Sequence, residues 1–138
     1  MRYVISFLAV CGIVVSALAL HVHYSTGVEP CDLNSRWDCG IVNHSRYSMI
    51  FGVPVAAVGI AGYAVIAIFG FLRRRWPTLL LSLCGLGFAL YLSHIEAHVL
   101  EVWCLYCVIS QCLIVLIALI AGIAMFLRPR SARVPEAV

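Results

Sequence analysis

The sequence predicts an all-α, polytopic membrane protein: a bundle of four transmembrane helices with an extracytoplasmic loop between the first and second. Three observations predict it. Of the 138 residues, 64% are hydrophobic and only 11% charged, and the mean hydropathy is +1.05, far from the composition of soluble domains. Four apolar runs, at about residues 3–22, 49–72, 78–97 and 104–127, match the roughly 20 helical residues needed to cross a ~30 Å hydrocarbon core. The nine basic residues, all arginine, are unevenly placed. Arg2, Arg73, Arg74, Arg75, Arg128, Arg130 and Arg133 fall at the N-terminus, the second connection and the tail, leaving only Arg36 and Arg46 in the first connection. Basic loops stay in the cytosol, so both termini are expected there. The net charge of +3 is a topology signal, and the sequence shows no nucleic-acid surface.

Each element follows from local chemistry. Lipid offers no partner for backbone N–H and C=O groups, so every span must be helical or part of a closed barrel, and these run lengths fit helices. The first run contains Ala17-Leu18-Ala19, a signal-peptide cleavage pattern, but its apolar stretch exceeds the usual 7–15 residues and favours a retained span. Residues 23–48 form the outer loop. Gly27, Pro30, Asp32, Asn34, Ser35, Asp38 and Gly40 are turn formers, which predicts irregular, flexible structure up to the second helix. Pro54 near the start of the second run and Pro77 just before the third sit where a missing N–H does least harm. Gly52, Gly59, Gly62, Gly85, Gly87 and Ala89 allow close helix packing. Residues 128–138 form a cytoplasmic tail, and the whole chain reads as one integral membrane domain.

Seven cysteines divide by position. Cys11, Cys84 and Cys112 lie within apolar runs and read as small hydrophobes. Cys31 and Cys39 lie in the outer loop, and Cys104 and Cys107 open the last span. All four are on the side of the membrane where disulfides persist. A spacing of three puts Cys104 and Cys107 on one side of a helix. The free N–H groups of a helix start should stabilise the Cys104 thiolate and make it the exchange-competent sulfur, with Cys107 one turn deeper in the bilayer. A C-x-x-C pair also suits a structural disulfide or zinc, so inert staples in a non-catalytic tetraspan and a four-cysteine zinc site stand as alternatives.

Taken together, the loop pair "CDLNSRWDC", Ser45 six residues on, "FGVP" at the second helix and "CLYC" opening the fourth resemble the vitamin K epoxide reductase family over nearly the whole chain. The resemblance implies a quinone-dependent thiol-disulfide oxidoreductase. Cys104 and Cys107 would form the active-site disulfide, with Cys107 delivering electrons to a membrane quinone, ubiquinone or menaquinone, and no metal. Cys31 and Cys39 would be the shuttle pair, Cys39 exchanging with Cys104 and Cys31 meeting a separate thioredoxin-fold thiol protein outside the cytosol. Ser45 and Phe51 would border the quinone. Vertebrate members carry an asparagine near the second helix and a tyrosine four residues after the second C-x-x-C cysteine; here Ser48 and Gln111 hold those places. The resemblance therefore leans to the bacterial branch, which supports disulfide bond formation at the plasma membrane, with vitamin K quinone or epoxide reduction as the alternative.

Remaining polar residues receive plainer readings. His94 and His98, with Glu101 a turn on, could bind zinc poorly but read as a solvated face. Glu96 is expected to pair with Arg36 or Arg46 at the surface, a contact worth little. Trp37, Trp76 and Trp103 fall near predicted boundaries, as an aromatic belt requires.

Overall fold

A computed structural model describes residues 1–127; the predicted tail lies outside the described residues. Four long helices dominate: α1 (Arg2–Tyr24), α3 (Val55–Phe71), α4 (Arg75–Ile95) and α5 (Leu105–Phe126), with a short α2 (Cys39–His44) between the first two. Helix α1 packs on α3 and α5, and α4 packs on α5 and α3, which closes a ring of contacts. Three helical segments, Arg2–Tyr24, Arg75–Leu100 and Leu105–Phe126, are long and apolar enough to cross a membrane; α3, at 17 residues, is shorter.

Lipid is as apolar as leucine, so these helices associate through close packing. Small residues permit it. The Tyr63 ring of α3 lies directly on Gly12 of α1, and the Ser16 side chain faces Gly59. Ile5, Ala9, Tyr63, Ile66, Ile114, Ile117 and Ala121 then form one buried cluster. A second gathers at the other ends of α1 and α5: Val22, Cys31, Cys39, Val42 and Cys104, with Cys107 packed against it.

Two expectations are corrected. The second apolar run does not begin as helix. Met49–Ile50 (β1) and Val53–Pro54 (β2) pair antiparallel, Ile50 opposite Val53, around a two-residue turn in which Phe51 and Gly52 both have positive φ, 49° and 81°. Glycine adopts that geometry freely, proline disfavours helical backbone at the preceding Val53, and Pro54 itself is extended, with a ψ of 135°, so α3 starts only at Val55. The outer loop is also not irregular throughout. Asp38 caps α2 by accepting from the Ile41 amide at 3.0 Å, which satisfies an orphan N–H of the helix start. A 3₁₀ turn, Arg46–Ser48, follows.

Helix α4 runs on into a π-helical turn, Glu96–Leu100, which ends at Glu101 with a φ of 53°. The chain then doubles back to place Trp103 beside Trp37. The Trp103 amide donates to the Arg36 carbonyl at 2.7 Å, and the Asp38 amide donates to the Trp103 carbonyl at 3.0 Å. This bridge ties the outer loop to the start of α5.

Candidate active site

The site is built where α2, the π turn and the start of α5 meet. Cys31 and Cys39 are joined as a disulfide, with Cα atoms 5.9 Å apart. Cys104 and Cys107 are free thiols. Cys31, Cys39 and Cys104 are all buried in the same cluster. One side chain spans them: the Asn43 amide donates to the Cys39 carbonyl at 2.9 Å and to the Cys104 sulfur at 3.5 Å. Asn43 reaches both because it stands one helical turn after Cys39.

Cys104 is the N-cap of α5, and its sulfur accepts from the Cys107 amide at 3.4 Å. The Cys107 thiol and amide hold the Cys104 thiol below its ordinary range, assisted by Asn43 and opposed by burial and by Glu96. The Cys107 amide is a free N–H of the helix start, as the sequence led one to expect, but the larger influence is the Cys107 thiol.

Glu96 departs from the sequence-based expectation. It makes no surface pair with Arg36 or Arg46. It is 3% exposed, its Oε2 accepts from the Cys104 amide at 3.2 Å, and it lines the same cavities as Cys107. Its position on the π turn, at the end of α4, aims it at the cysteines.

A cavity of about 350 Å³ opens beside Cys107. Its walls come from all four long helices and are mostly apolar, Ile66 and Phe88 among them, with Asn43, Glu96, Ser93 and Ser110 as polar groups. Tyr63 crosses toward α5, its hydroxyl donating to the Ser110 carbonyl at 2.7 Å and lying 2.9 Å from the Ser110 hydroxyl. A smaller cavity of about 40 Å³ shares Asn43, Glu96 and Cys107 and adds Ser45, Tyr47 and Ser48. The larger volume falls in the range of small-molecule sites.

A sequence model of the vitamin K epoxide reductase family matches residues 3–122. The chain belongs to the vitamin K epoxide reductase family. Membership implies a quinone-linked thiol oxidoreductase, a family that generally works with thioredoxin-like partners. With three apolar helices of spanning length, it also makes the chain an integral membrane protein.

The residues singled out from the sequence fall in different places. Cys31, Cys39, Cys104 and Cys107 come together. Ser45 and Ser48 line the smaller cavity; their hydroxyls donate to the Val42 and Ser45 carbonyls, each at 2.7 Å. Gln111 accepts from Ser93, which lines the larger cavity, but does not line it itself. Phe51 stands fully exposed at the hairpin tip, away from both cavities. The His94 and His98 rings, 4.6 Å apart, gather no third ligand among the described residues, where the one grouping of three metal-ligating side chains is Cys31, Asp32 and Cys39. There the two sulfurs are bonded to each other, so neither is available as a thiolate for a four-cysteine zinc site.

Sequence reasoning missed Asn43, Tyr63 and the inward turn of Glu96. A signal existed for Asn43: Asp38 immediately before Cys39 is a helix N-cap residue, and a helix from there puts Asn43 on the cysteine face. Glu96 offered a weaker one, as an acid ending an apolar run eight residues before Cys104.

Proposed function

We propose that this protein oxidises thiols outside the cytosol and passes the electrons to a membrane quinone, supporting disulfide bond formation. The carrying observation is the position of Cys107: its amide holds the Cys104 sulfur at 3.4 Å while its side chain lines the apolar cavity. A dithiol belongs at such a boundary when its oxidant dissolves in lipid. The cavity suits a flat, largely apolar head group, with hydrogen-bonding groups confined to a few wall positions.

The steps follow from the sulfurs. A reduced thioredoxin-fold protein attacks the Cys31–Cys39 disulfide and leaves both as thiols. Cys39 attacks Cys104 of the C-x-x-C disulfide and releases Cys107; Cys31 then resolves the bond between Cys39 and Cys104. The result is the arrangement of bonds in the structure, loop oxidised and C-x-x-C reduced. A quinone, when bound, takes up two electrons and two protons. Cys107 faces it, and Cys104 closes the disulfide behind. Cys31 is 2% exposed and Cys39 wholly buried, so exchange with a partner requires segment 31–39 to open. Asn43 keeps Cys104 oriented toward the loop.

The proposed setting is a bacterial plasma membrane, both termini cytoplasmic and all four cysteines on the opposite face. Four helices then span, with α3 as the shortest at roughly 25 Å. Ser45 and Ser48 would act from the smaller cavity, and Gln111 through Ser93.

Trapping tests the relay. In Cys107→Ala, prepared with the loop disulfide intact and no added dithiol, the Cys104 thiolate should attack Cys39 and release Cys31 as a thiol, the reverse of the resolving step, and the Cys39–Cys104 mixed disulfide is identified by peptide mapping. A mixed disulfide formed at Cys31 instead would reverse the assigned order.

A further inference from the structure

The relay above assigns the sulfurs but leaves one buried acid unused. Glu96 lies at the wall shared by both cavities. It accepts from the Cys104 amide, 3.2 Å from Oε2, and lines both cavities together with Cys107. Neither neighbour carries a positive charge. Burying a carboxyl without a counter-charge is expensive, and an apolar or amide side chain would serve packing better. An ionisable group kept inside a membrane domain points to function.

We propose that Glu96 is a catalytic residue that carries the Cys107 thiol proton to the quinone, a role that rests on the oxidoreductase reading above. The balance is simple. With Cys104 as thiolate, the Glu96 carboxylate removes the proton from Cys107. The sulfur–sulfur bond forms, and two electrons leave the sulfur pair for the quinone. Glu96 then gives its proton to one quinone oxygen and is a carboxylate again. The other oxygen is protonated from water, where Cys104 lost its proton on ionising. Two electrons and two protons are delivered, and Glu96 ends as it began.

Geometry makes Glu96 the only group suited to the task among the cavity-lining residues. The other titratable side chains there are Cys84, Tyr47, Tyr63, Tyr106 and Cys107 itself. None is a carboxyl, and none ordinarily titrates in the acid range. Glutamine at 96 preserves an acceptor for the Cys104 amide, so E96Q removes the proton chemistry while keeping the contact.

The test uses full-length protein in lipid nanodiscs, wild type, E96Q and E96D. Pre-reduced protein is mixed with ubiquinone or menaquinone at several pH values, and quinol is followed in a single turnover. Wild type should slow as acid protonates Glu96. E96Q should be about 10²- to 10⁴-fold slower, the usual worth of a positioned acid–base group, its pH profile keeping only the acid dependence of the Cys104 thiolate and losing that of Glu96, and E96D should recover part of the rate. Under turnover, E96Q should arrest with Cys31–Cys39 bonded and Cys104 and Cys107 reduced. An independent readout needs no quinone: the infrared S–H stretching band that Cys107→Ala removes should move in E96Q. Wild-type rates in E96Q, or an S–H band unmoved by it, would overturn the role of Glu96 alone. A wild-type protein that leaves both quinones untouched would overturn the reading beneath, and the proposal with it.

Discussion

Asn43 offers the sharpest check on how the site tunes its sulfur. Its side chain is 6% exposed and donates to both the Cys39 carbonyl and the Cys104 sulfur. Replacing it with alanine leaves Cys104 with the Cys107 thiol and amide, the larger influences, but takes away the remaining donor. A hydrogen bond to a charged group is worth about 1.5–3 kcal/mol, and the 3.5 Å separation argues for the lower end. The Cys104 titration should therefore move upward in Asn43→Ala, by the equivalent of that lost bond. The sign is fixed: losing a donor destabilises the thiolate, so the thiolate fraction begins to fall at a higher pH than in wild type. Ultraviolet thiolate absorbance against pH, with the loop disulfide intact and Cys104→Ser as the blank, measures it. An unchanged midpoint would refute the claim that Asn43 tunes the sulfur. The Cys39 carbonyl keeps the helical bond from the backbone N–H of residue 43, so loss of the side-chain bond should cost about 0.5–1.5 kcal/mol in unfolding.

Three further outcomes follow. Gly12→Val sets a branched side chain against the Tyr63 ring and should lower stability by about 1–3 kcal/mol, read as a drop in thermal midpoint; an unchanged midpoint would mean that the helices do not pack this closely. Tyr63→Phe removes the bond to Ser110 and should cost about 0.5–1.5 kcal/mol without loss of helix by circular dichroism. Asp32, whose carboxyl is held below its ordinary range mainly by the Glu29 amide, also accepts from the Gly40 amide at 3.2 Å. Its folded value is depressed, so its support for the loop is full at neutral pH and lost only as the pH falls below the usual carboxylate range. Trp37 fluorescence should report that transition, and Asp32→Asn should abolish the acid step.

Much of this architecture could be read in advance because its causes are local. Twenty apolar residues in a row have little choice in lipid, so α1, α4 and α5 lie where the hydrophobic runs put them. The Cys31–Cys39 bond was implied by the family resemblance, and only the place of Cys104 at a helix start could be read from local chemistry. What failed depended on contacts between distant segments. Residues 49–54 are as apolar as a helix would need, yet the turn at Phe51-Gly52 and the proline at 54 divert them into a hairpin. Phe51 was assigned to the ring on motif position, and the hairpin carries it outward. Glu96 looked like a surface charge because its composition context is a helix end; only the return of the chain through Trp103 brings the Cys104 amide to it.

The most direct measurement counts quinol. Pre-reduced protein, with Cys31–Cys39 closed and Cys104 and Cys107 as thiols, is mixed anaerobically with one equivalent of quinone in nanodiscs, and the disulfides are then mapped by mass spectrometry. One quinol per protein is predicted, together with a new Cys104–Cys107 bond, and Cys107→Ala should form none. Quinol appearing at the wild-type rate in Cys107→Ala would contradict the claim that this sulfur is the point where electrons leave the protein.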